Sequence, residues 1–288
     1  MKIERIKPVP IPAVYPHWEF KAEGELRDTY ERYKAAMQIP WVGVVTMAYA
    51  HYRPFFDCWW KALEPVVQTN AYVEVAQSLR AKVETDIEAL NPPPISERLF
   101  AMGYSSRELD EMREMIDIIS HGNFMQIPAV MVARLLLEGG ELLGGTDIGA
   151  AAKAHGPEVS TPFVLLEPHH VLPDHQAIYE DIKTTLGLPF VNTDYRCFAR
   201  WPSYFDLAWK DLKTEIQGPN YEPLVISQHE AQFAATATLA NPTGLTAETL
   251  KQACGEDLPA ILETVRLFTW LLPGLTTNVA YFRAQLGD

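Results

Sequence analysis

Residues 30–63 read YERYKAAMQIPWVGVVTMAYAHYRPFFDCWWKAL, and residues 179–212 read YEDIKTTLGLPFVNTDYRCFARWPSYFDLAWKDL. The two segments align without a gap at an offset of 149 residues, and 11 of their 34 positions are identical. Chance agreement at average composition would be about two to three positions. The same offset pairs Tyr72 with Tyr221 further along the chain. One offset that holds over so much of the sequence indicates a duplicated unit.

Each half of the chain has the pattern of a helical protein. In RELDEMREMIDIIS, residues 107–120, the apolar residues Leu109, Met112, Ile116 and Ile119 recur at helical spacing with charges opposite them. Alternating runs of Val, Ile and Thr between turn residues, which would indicate strands, are scarce. The sequence therefore predicts an all-α fold. The duplication predicts an internal pseudo-dimer, in which two similar helical bundles are related by an approximate two-fold axis.

A glycine-rich stretch separates the two halves. It reads GGELLGGTDIGAAAKAHGPEVSTPF, residues 139–163, and its small residues indicate a linker or a long crossover. We therefore expect a first helical repeat over residues 1–140, a linker over 141–165 and a second helical repeat over 166–288.

Composition narrows the class of protein. The chain has 288 residues, of which 48% are hydrophobic and 21% charged, as in globular domains. The net charge of −13 argues against a nucleic-acid partner, since phosphate binding needs clustered Lys and Arg. The sequence has no apolar run of ~18 residues, so we expect no membrane span. The N-terminus does not resemble a secretory signal. Three cysteines without a CxxC pair are typical of reduced thiols and favour a cytoplasmic location.

The two repeats differ in polarity at two places. The second repeat has Asn192-Thr193-Asp194 where the first has Gly43-Val44-Val45. Conversely, Asn123 of the first repeat corresponds in the alignment to Leu272 of the second. Residues that folding requires tend to appear in both repeats, but a catalytic group needs to appear only once. If the two places meet across the pseudo-two-fold axis, a carboxylate and an amide converge in an apolar cavity. Its predicted lining residues are Trp41, Val44, Phe190 and Leu272.

Purely structural interpretations of these residues also exist. Asn, Thr and Asp are common at helix N-termini, so the cluster 192–194 could serve as a helix cap. Asn123, which follows a glycine, could end a helix. The tryptophans could simply fill the core.

Three motifs resemble the group I 2-haloacid dehalogenases, hydrolases that act on D- or on both D- and L-2-haloalkanoic acids. They are Pro40-Trp41-Val42, the pair Gly122-Asn123 after a long helix, and Thr193-Asp194-Tyr195 followed by Trp201-Pro202. Their order and spacing match over nearly the whole chain. The resemblance implies an all-α, duplicated fold with the active site between the halves, in agreement with the repeat.

The resemblance also implies roles for individual residues. Asp194 would be the general base, and Asn123 would hold and activate a water molecule. That water would attack Cα directly and displace halide with inversion, without an ester intermediate, a metal or an organic cofactor. Thr193 would bind the substrate carboxylate, and Trp41 would line the pocket near the leaving group. The expected partner is therefore a small-molecule 2-haloacid, and the sequence leaves open whether the chain also forms a homodimer.

The chain departs from the family pattern at three positions. Thr193 replaces the Ser of most members, and both supply a hydroxyl. Val44 replaces a Phe of some members, which predicts a larger pocket. Asn192 stands where members that accept both enantiomers have a small residue. A bulkier polar group two positions before the base predicts a preference for D-substrates.

Other chemistries find little support in the sequence. The chain lacks the DxD motif and the strand-helix alternation of the Rossmann-like haloacid dehalogenase superfamily, and it has no GxGxxG, P-loop, GxSxG or HExxH. The histidines of EPHHVLPDH, residues 167–175, match no standard zinc spacing. Two alternatives remain open: a helical enzyme of the carboxymuconolactone-decarboxylase type, and a non-catalytic binding protein for small carboxylic acids.

Overall fold

Helices form nearly all the regular structure. The computed structural model describes residues 2–287. The regular structure of these residues is helical except for an isolated β-bridge between Thr69 and Ala151. The helices of the first half are α1 Gly24–Met37, α2 Val44–Ala50, α3 Arg53–Val67, α4 Asn70–Asp86, α5 Ser96–Ala101 and α6 Ser106–Leu137. Those of the second half are α7 Pro173–Leu186, α8 Thr193–Phe198, α9 Pro202–Ile216, α10 Tyr221–Ala237, α11 Ala247–Cys254 and α12 Leu258–Leu286. The predicted all-α fold is confirmed.

The helices of the two halves correspond at the offset seen in the sequence. Shifting α1 by 149 residues gives 173–186, the bounds of α7, and shifting α3 gives 202–216, the bounds of α9. The residues that end α1 and α7 also correspond. Gln38 and Gly187 both adopt the left-handed conformation, with φ of 53° and 63°. This conformation closes many helices and is easiest for glycine, so Gln38 takes it at some cost in strain.

One long-range hydrogen bond occurs in both repeats. The Tyr30 hydroxyl donates to the His17 carbonyl at 2.8 Å, and the Tyr179 hydroxyl donates to the Leu166 carbonyl at 2.7 Å. Each donor and each acceptor is separated from its counterpart by 149 residues. Both tyrosines are about 1% exposed, so each bond satisfies a buried hydroxyl.

The chain divides into two compact units that are discontinuous in sequence. Unit 1 comprises the N-terminal part through Ala81, His121–Gly156 and Ile226–Gly274. Unit 2 comprises Lys82–Ser120, Pro157–Val225 and the C-terminal part from Leu275. Each unit thus draws on both repeats. The predicted repeats 1–140 and 166–288 with a linker 141–165 describe the duplication in the sequence, not the compact units in space. This division stays a prediction.

The stretch between α6 and α7 has no helix but is held by specific hydrogen bonds. In unit 1, the Asn70 amide donates to the Ala150 carbonyl at 3.0 Å. In unit 2, the amides and hydroxyls of Ser160 and Thr161 all donate to the Glu114 carboxylate. Partial burial opposes ionisation of Glu114, but these four bonds outweigh it and lower its pKa to about 2. The stretch is therefore an anchored crossover.

One helical stretch, residues 247–286, is long and apolar enough to cross a membrane. Within its most apolar window, 61% is buried inside the protein, as expected for a core helix, so the stretch is weak evidence for a membrane span. The absence of a membrane partner stays a prediction.

Candidate active site

Asp194 lies in the first turn of α8 and is only 3% exposed. The helix begins after Asn192, whose φ of −64° and ψ of 156° are extended, so Thr193 and Asp194 are its first two residues. Burying a carboxylate is costly unless hydrogen bonds or charges compensate for the lost hydration. Its burial distinguishes Asp194 from an ordinary surface acid at a helix N-terminus, and its role as general base stays a prediction.

Asn192 is not a side-chain cap. Its backbone is in the N-cap position, but its side chain makes no capping hydrogen bond, and its buried Oδ1 finds no partner among the described residues. The capping interpretation of Asn192 is therefore wrong. An amide whose oxygen is buried without a protein partner is available to a ligand or a water molecule.

Arg196 orients Thr193 from one turn further along α8. Its Nη2 atom lies 3.4 Å from the Thr193 hydroxyl, and its Nη1 atom pairs with the Glu167 carboxylate. Thr193 is half-buried, in contrast to the buried Asp194 next to it.

The residues that follow Asp194 are deeply buried. Burial raises the pKa of the Cys197 thiol well above its usual range, and the Asp194 carboxylate raises it further. Cys197 therefore remains a neutral thiol rather than a thiolate nucleophile. All three cysteines are free, as the sequence predicts.

In unit 1, Asn123 lies inside α6 and is 7% exposed. Helix α6 continues from Ser106 to Leu137, so the Gly122-Asn123 pair neither follows nor ends a helix. The prediction of a C-terminal cap at Asn123 is therefore wrong. Both residues have low helix propensity, and a buried helix that includes them indicates that tertiary packing overrides it here.

Gly122 makes room for the indole of Trp41. A Cβ atom at Gly122 would stand 2.8 and 2.9 Å from Cζ2 and Cζ3 of that ring, and closer still to Cη2. Trp41 is 7% exposed. The missing side chain at position 122 thus lets the ring lie against α6 at the residue that precedes Asn123.

We expect Gly122→Ala to destabilise the protein. Glycine to alanine inside a helix ordinarily stabilises by about 0.5–1 kcal/mol, but here the new methyl group overlaps the Trp41 ring, and overpacking costs about 1–3 kcal/mol. Urea unfolding measures the change. Trp41→Phe, with its smaller ring, should recover part of the lost stability when combined with Gly122→Ala. Ordinary stabilisation by Gly122→Ala would contradict the proposed packing.

A buried hydrogen-bonded chain fixes the start of α2 against α6. Thr46 donates to the Tyr33 hydroxyl at 2.9 Å, and Tyr33 donates to Oε1 of Gln126 at 3.1 Å. Gln126 in turn donates to the Gly122 carbonyl at 3.2 Å. Gly43 permits this approach, because a Cβ there would lie 3.0 Å from Cδ of Gln126 and closer to Oε1.

The prediction from sequence missed this chain, although the comparison of the repeats contained the signal. In the alignment of the two repeats, Gln126 corresponds to Leu275 and Tyr33 corresponds to Ile182. These are the same kind of polarity difference as at Asp194. Extending that comparison to every buried position would have found them.

His121 precedes the glycine and stays neutral. Burial, together with the neighbouring His155, lowers its pKa to about 4. Its Nε2 atom lies 3.3 Å from the Met37 carbonyl, so the neutral ring can donate one hydrogen bond there. At neutral pH His121 therefore adds no positive charge beside Asn123.

The remaining predicted pocket residues are placed as follows. Val44 is half-buried at the start of α2, and Leu272 is 7% exposed in α12, both in unit 1. Phe190 is half-buried just before α8 in unit 2. Asp194, Thr193, Asn192 and Phe190 thus belong to unit 2, whereas Asn123, Trp41, Val44 and Leu272 belong to unit 1. The meeting of these two groups stays a prediction.

The predicted absence of a zinc site concerns three histidines. His169 and His170 are exposed, and His175 lies in the first turn of α7. Across residues 2–287, no group of three or more His, Cys, Asp or Glu side chains is arranged to hold a metal ion.

Comparison with known proteins gives a consistent result. A family model described as halocarboxylic acid dehydrogenase DehI matches residues 40–187. An (R)-2-haloacid dehalogenase of Rhizobium sp. (strain NHG3) is 38% identical over 254 residues, covering 88% of this chain and 98% of the relative. An (R)-2-haloacid dehalogenase of Pseudomonas putida is 33% identical over 290 residues, covering 97% and 92%.

A solved structure shares the fold along its whole length. It is described as the complex structure of D-2-haloacid dehalogenase with L-LA, and it matches with a TM-score of 0.88 at 31% identity. The match covers 99% of this chain and 100% of that structure. Similarity in sequence and in fold therefore point to the same group of proteins.

Proposed function

Because this chain belongs to the DehI family of 2-haloacid-processing proteins, we propose that it is a hydrolytic dehalogenase of short 2-haloalkanoic acids. One observation carries the proposal: Asp194, the residue that the family motif assigns as general base, is 3% exposed at the start of α8. The description of the family model names a dehydrogenase, but both relatives are named dehalogenases. The sequence also lacks the GxGxxG fingerprint of dinucleotide-dependent oxidoreductases.

In the proposed reaction a water molecule attacks Cα of the substrate. Asp194 takes one proton from that water, the new C–O bond forms, and the carbon-halogen bond breaks. The halide leaves with the electron pair of the broken bond. Since attack comes from the side opposite the leaving group, the 2-hydroxy acid product has inverted configuration.

The residues suit this chemistry. Water is a poor nucleophile at neutral pH, and a carboxylate within hydrogen-bond reach can accept its proton during attack. An amide both donates and accepts, so Asn123 is suited to hold the water in one orientation. We assign Asp194 as the base and Asn123 as the residue that positions the water.

The substrate carboxylate needs its own partner, because its charge would otherwise repel the incoming oxygen. We assign that role to the Thr193 hydroxyl, which Arg196 orients from within α8. Trp41, Val44, Phe190 and Leu272 supply apolar or aromatic surface for the alkyl group and the halogen. The indole N–H of Trp41 can also stabilise the departing halide.

We further propose that the repeats arose by duplication and are related by an approximate two-fold axis. The equal helix bounds and the paired tyrosine hydrogen bonds support this proposal. We also propose a cytoplasmic location, in keeping with three free cysteines. Light scattering on the purified protein would decide whether two copies pair.

Halide release from the two enantiomers of 2-chloropropionate tests the proposed function and its selectivity together. We expect the D-form to react at least about tenfold faster, because the bulk of Asn192 obstructs the L-form. Both relatives carry the (R) designation in their names, which supports this preference. Asn192→Ala should raise the rate for L-2-chloropropionate and change the D-rate less.

Each outcome of that experiment has a defined meaning. Equal rates for the two enantiomers would refute the selectivity but leave the dehalogenase activity established. No release from either enantiomer, with bromoacetate also inert, would refute the activity. A protein that binds D-2-chloropropionate without releasing halide would favour the alternative of a non-catalytic binding protein.

A further inference from the structure

Asn278 is a buried polar residue of α12 in unit 2 that none of the preceding roles explains. It is 1% exposed, and its counterpart in the first repeat is Ala129. A fully buried amide opposite an alanine is the same kind of polarity difference that marks Asp194 opposite Val45. Burying an amide is unfavourable unless its hydrogen bonds are made.

Asn278 makes those bonds to two tyrosines. Its Nδ2 atom donates to the Tyr195 hydroxyl at 2.8 Å, and its Oδ1 atom accepts from the Tyr221 hydroxyl at 2.6 Å. Tyr195 is 0% exposed and Tyr221 is 6% exposed. The amide therefore links α12 to α8 and to the first residue of α10.

Helix α8 depends on such contacts for its orientation. It has only six residues, Thr193–Phe198, and its N-cap side chain makes no capping bond. A helix of this length has little stability of its own in water. Tyr195, which directly follows Asp194, is the anchor: its ring packs edge-on against Trp209 and Phe282, with centroids 5.8 and 6.3 Å away.

Ring packing by itself leaves one freedom that the hydrogen bond removes. Edge-on aromatic contacts tolerate sliding and tilting, because their energy varies slowly with ring position. A 2.8 Å hydrogen bond to the end of the ring fixes where the hydroxyl lies, and thereby the direction of the first turn of α8.

We propose that Asn278 is a positioning residue for the dehalogenation reaction, which holds the first turn of α8, and with it Asp194, through the Tyr195 hydroxyl. This inference rests on the proposed function of Asp194 as general base. Misplacing a catalytic group by about 1 Å can cost roughly 100-fold in rate. Asn278 touches neither substrate nor water and acts only through Tyr195.

The test compares Asn278→Leu with Gln285→Leu. Gln285 is also a buried amide of α12 in unit 2, 1% exposed, but its hydrogen bond goes to Asp211. We expect Asn278→Leu to lower kcat for chloride release from D-2-chloropropionate roughly 10- to 100-fold, with little change in KM. We expect Gln285→Leu to reduce stability and leave kcat near that of the wild type.

Tyr195→Phe gives a milder second probe, since it removes only one hydroxyl group. It should lower kcat in the same way, and the double variant Tyr195→Phe with Asn278→Leu should be little worse than Asn278→Leu alone. Should Asn278→Leu fail to fold, Tyr195→Phe alone carries the test, because the proposal predicts a loss in kcat without a matching change in KM.

The failures are distinguishable. A wild-type protein that releases no chloride would overturn the proposed function itself. An active wild type whose Asn278→Leu and Tyr195→Phe variants keep the kcat of Gln285→Leu would overturn only the positioning role. A loss that appears in KM alone would also overturn it, because it would indicate a defect in substrate binding.

Discussion

Asp194→Asn is expected to reduce halide release more than any other single change, while leaving the protein folded and able to bind substrate. The change keeps the size and shape of the side chain but removes the ability to accept a proton. General base catalysis contributes roughly 10²- to 10⁴-fold, so kcat for D-2-chloropropionate should fall by that order. Chloride release measures the rate, and isothermal titration with the same acid measures binding to the inactive variant.

Asp206→Asn is the matched control. Asp206 also lies near the start of a unit 2 helix, α9, but its side chain is 37% exposed and pairs with Lys210 at 2.6 Å. Surface ion pairs contribute about 0–1 kcal/mol, so this variant should keep full activity. Normal turnover by Asp194→Asn would show that the buried carboxylate is not the base. Its burial would then need an explanation in binding or in folding.

Asn123→Leu is expected to have the second largest effect, a loss in kcat of roughly 100-fold through loss of the positioned water. Leucine stands at the corresponding position 272 of the second repeat, and it has higher helix propensity than asparagine. The variant should therefore fold at least as well as the wild type. Steady-state kinetics and thermal unfolding together separate the chemical effect from the structural one.

The double variant Asp194→Asn with Asn123→Leu tests whether the two residues serve one water. They belong to different units, so their cooperation is a functional prediction. If both act on the same nucleophile, the second change should add little once the first is made. Losses that multiply would show that they act independently. Full activity of Asn123→Leu would remove Asn123 from the mechanism.

Much of the fold followed from the repeat. An offset of 149 residues in the sequence predicts equal helix bounds, and α1 with α7 and α3 with α9 have them. Helical periodicity is local, because it depends on side chains three or four positions apart. The sequence alone therefore sufficed for the fold class and for the correspondence of the helices.

The candidate site was predicted less completely. The polarity differences between the repeats singled out Asp194 and Asn123, and both are buried. Local signals at Gly122-Asn123 favour helix termination, so the sequence suggested a helix end at Asn123. That interpretation was wrong. Helix α6 nevertheless continues through this pair, where the Trp41 ring packs against Gly122 and Gln126 donates to the Gly122 carbonyl.

By itself the sequence determined that the chain is helical and internally repeated. It also singled out the carboxylate and the amide whose aligned residues in the other repeat are apolar. Only the tertiary structure decided which segments share a unit: residues 82–120 of the first repeat fall in unit 2, whereas residues 226–274 of the second fall in unit 1. It also decided that Asn278 donates a hydrogen bond to Tyr195, the residue that follows Asp194. Such pairings join residues far apart along the chain, and they depend on how whole helical faces fit together, which no local pattern encodes.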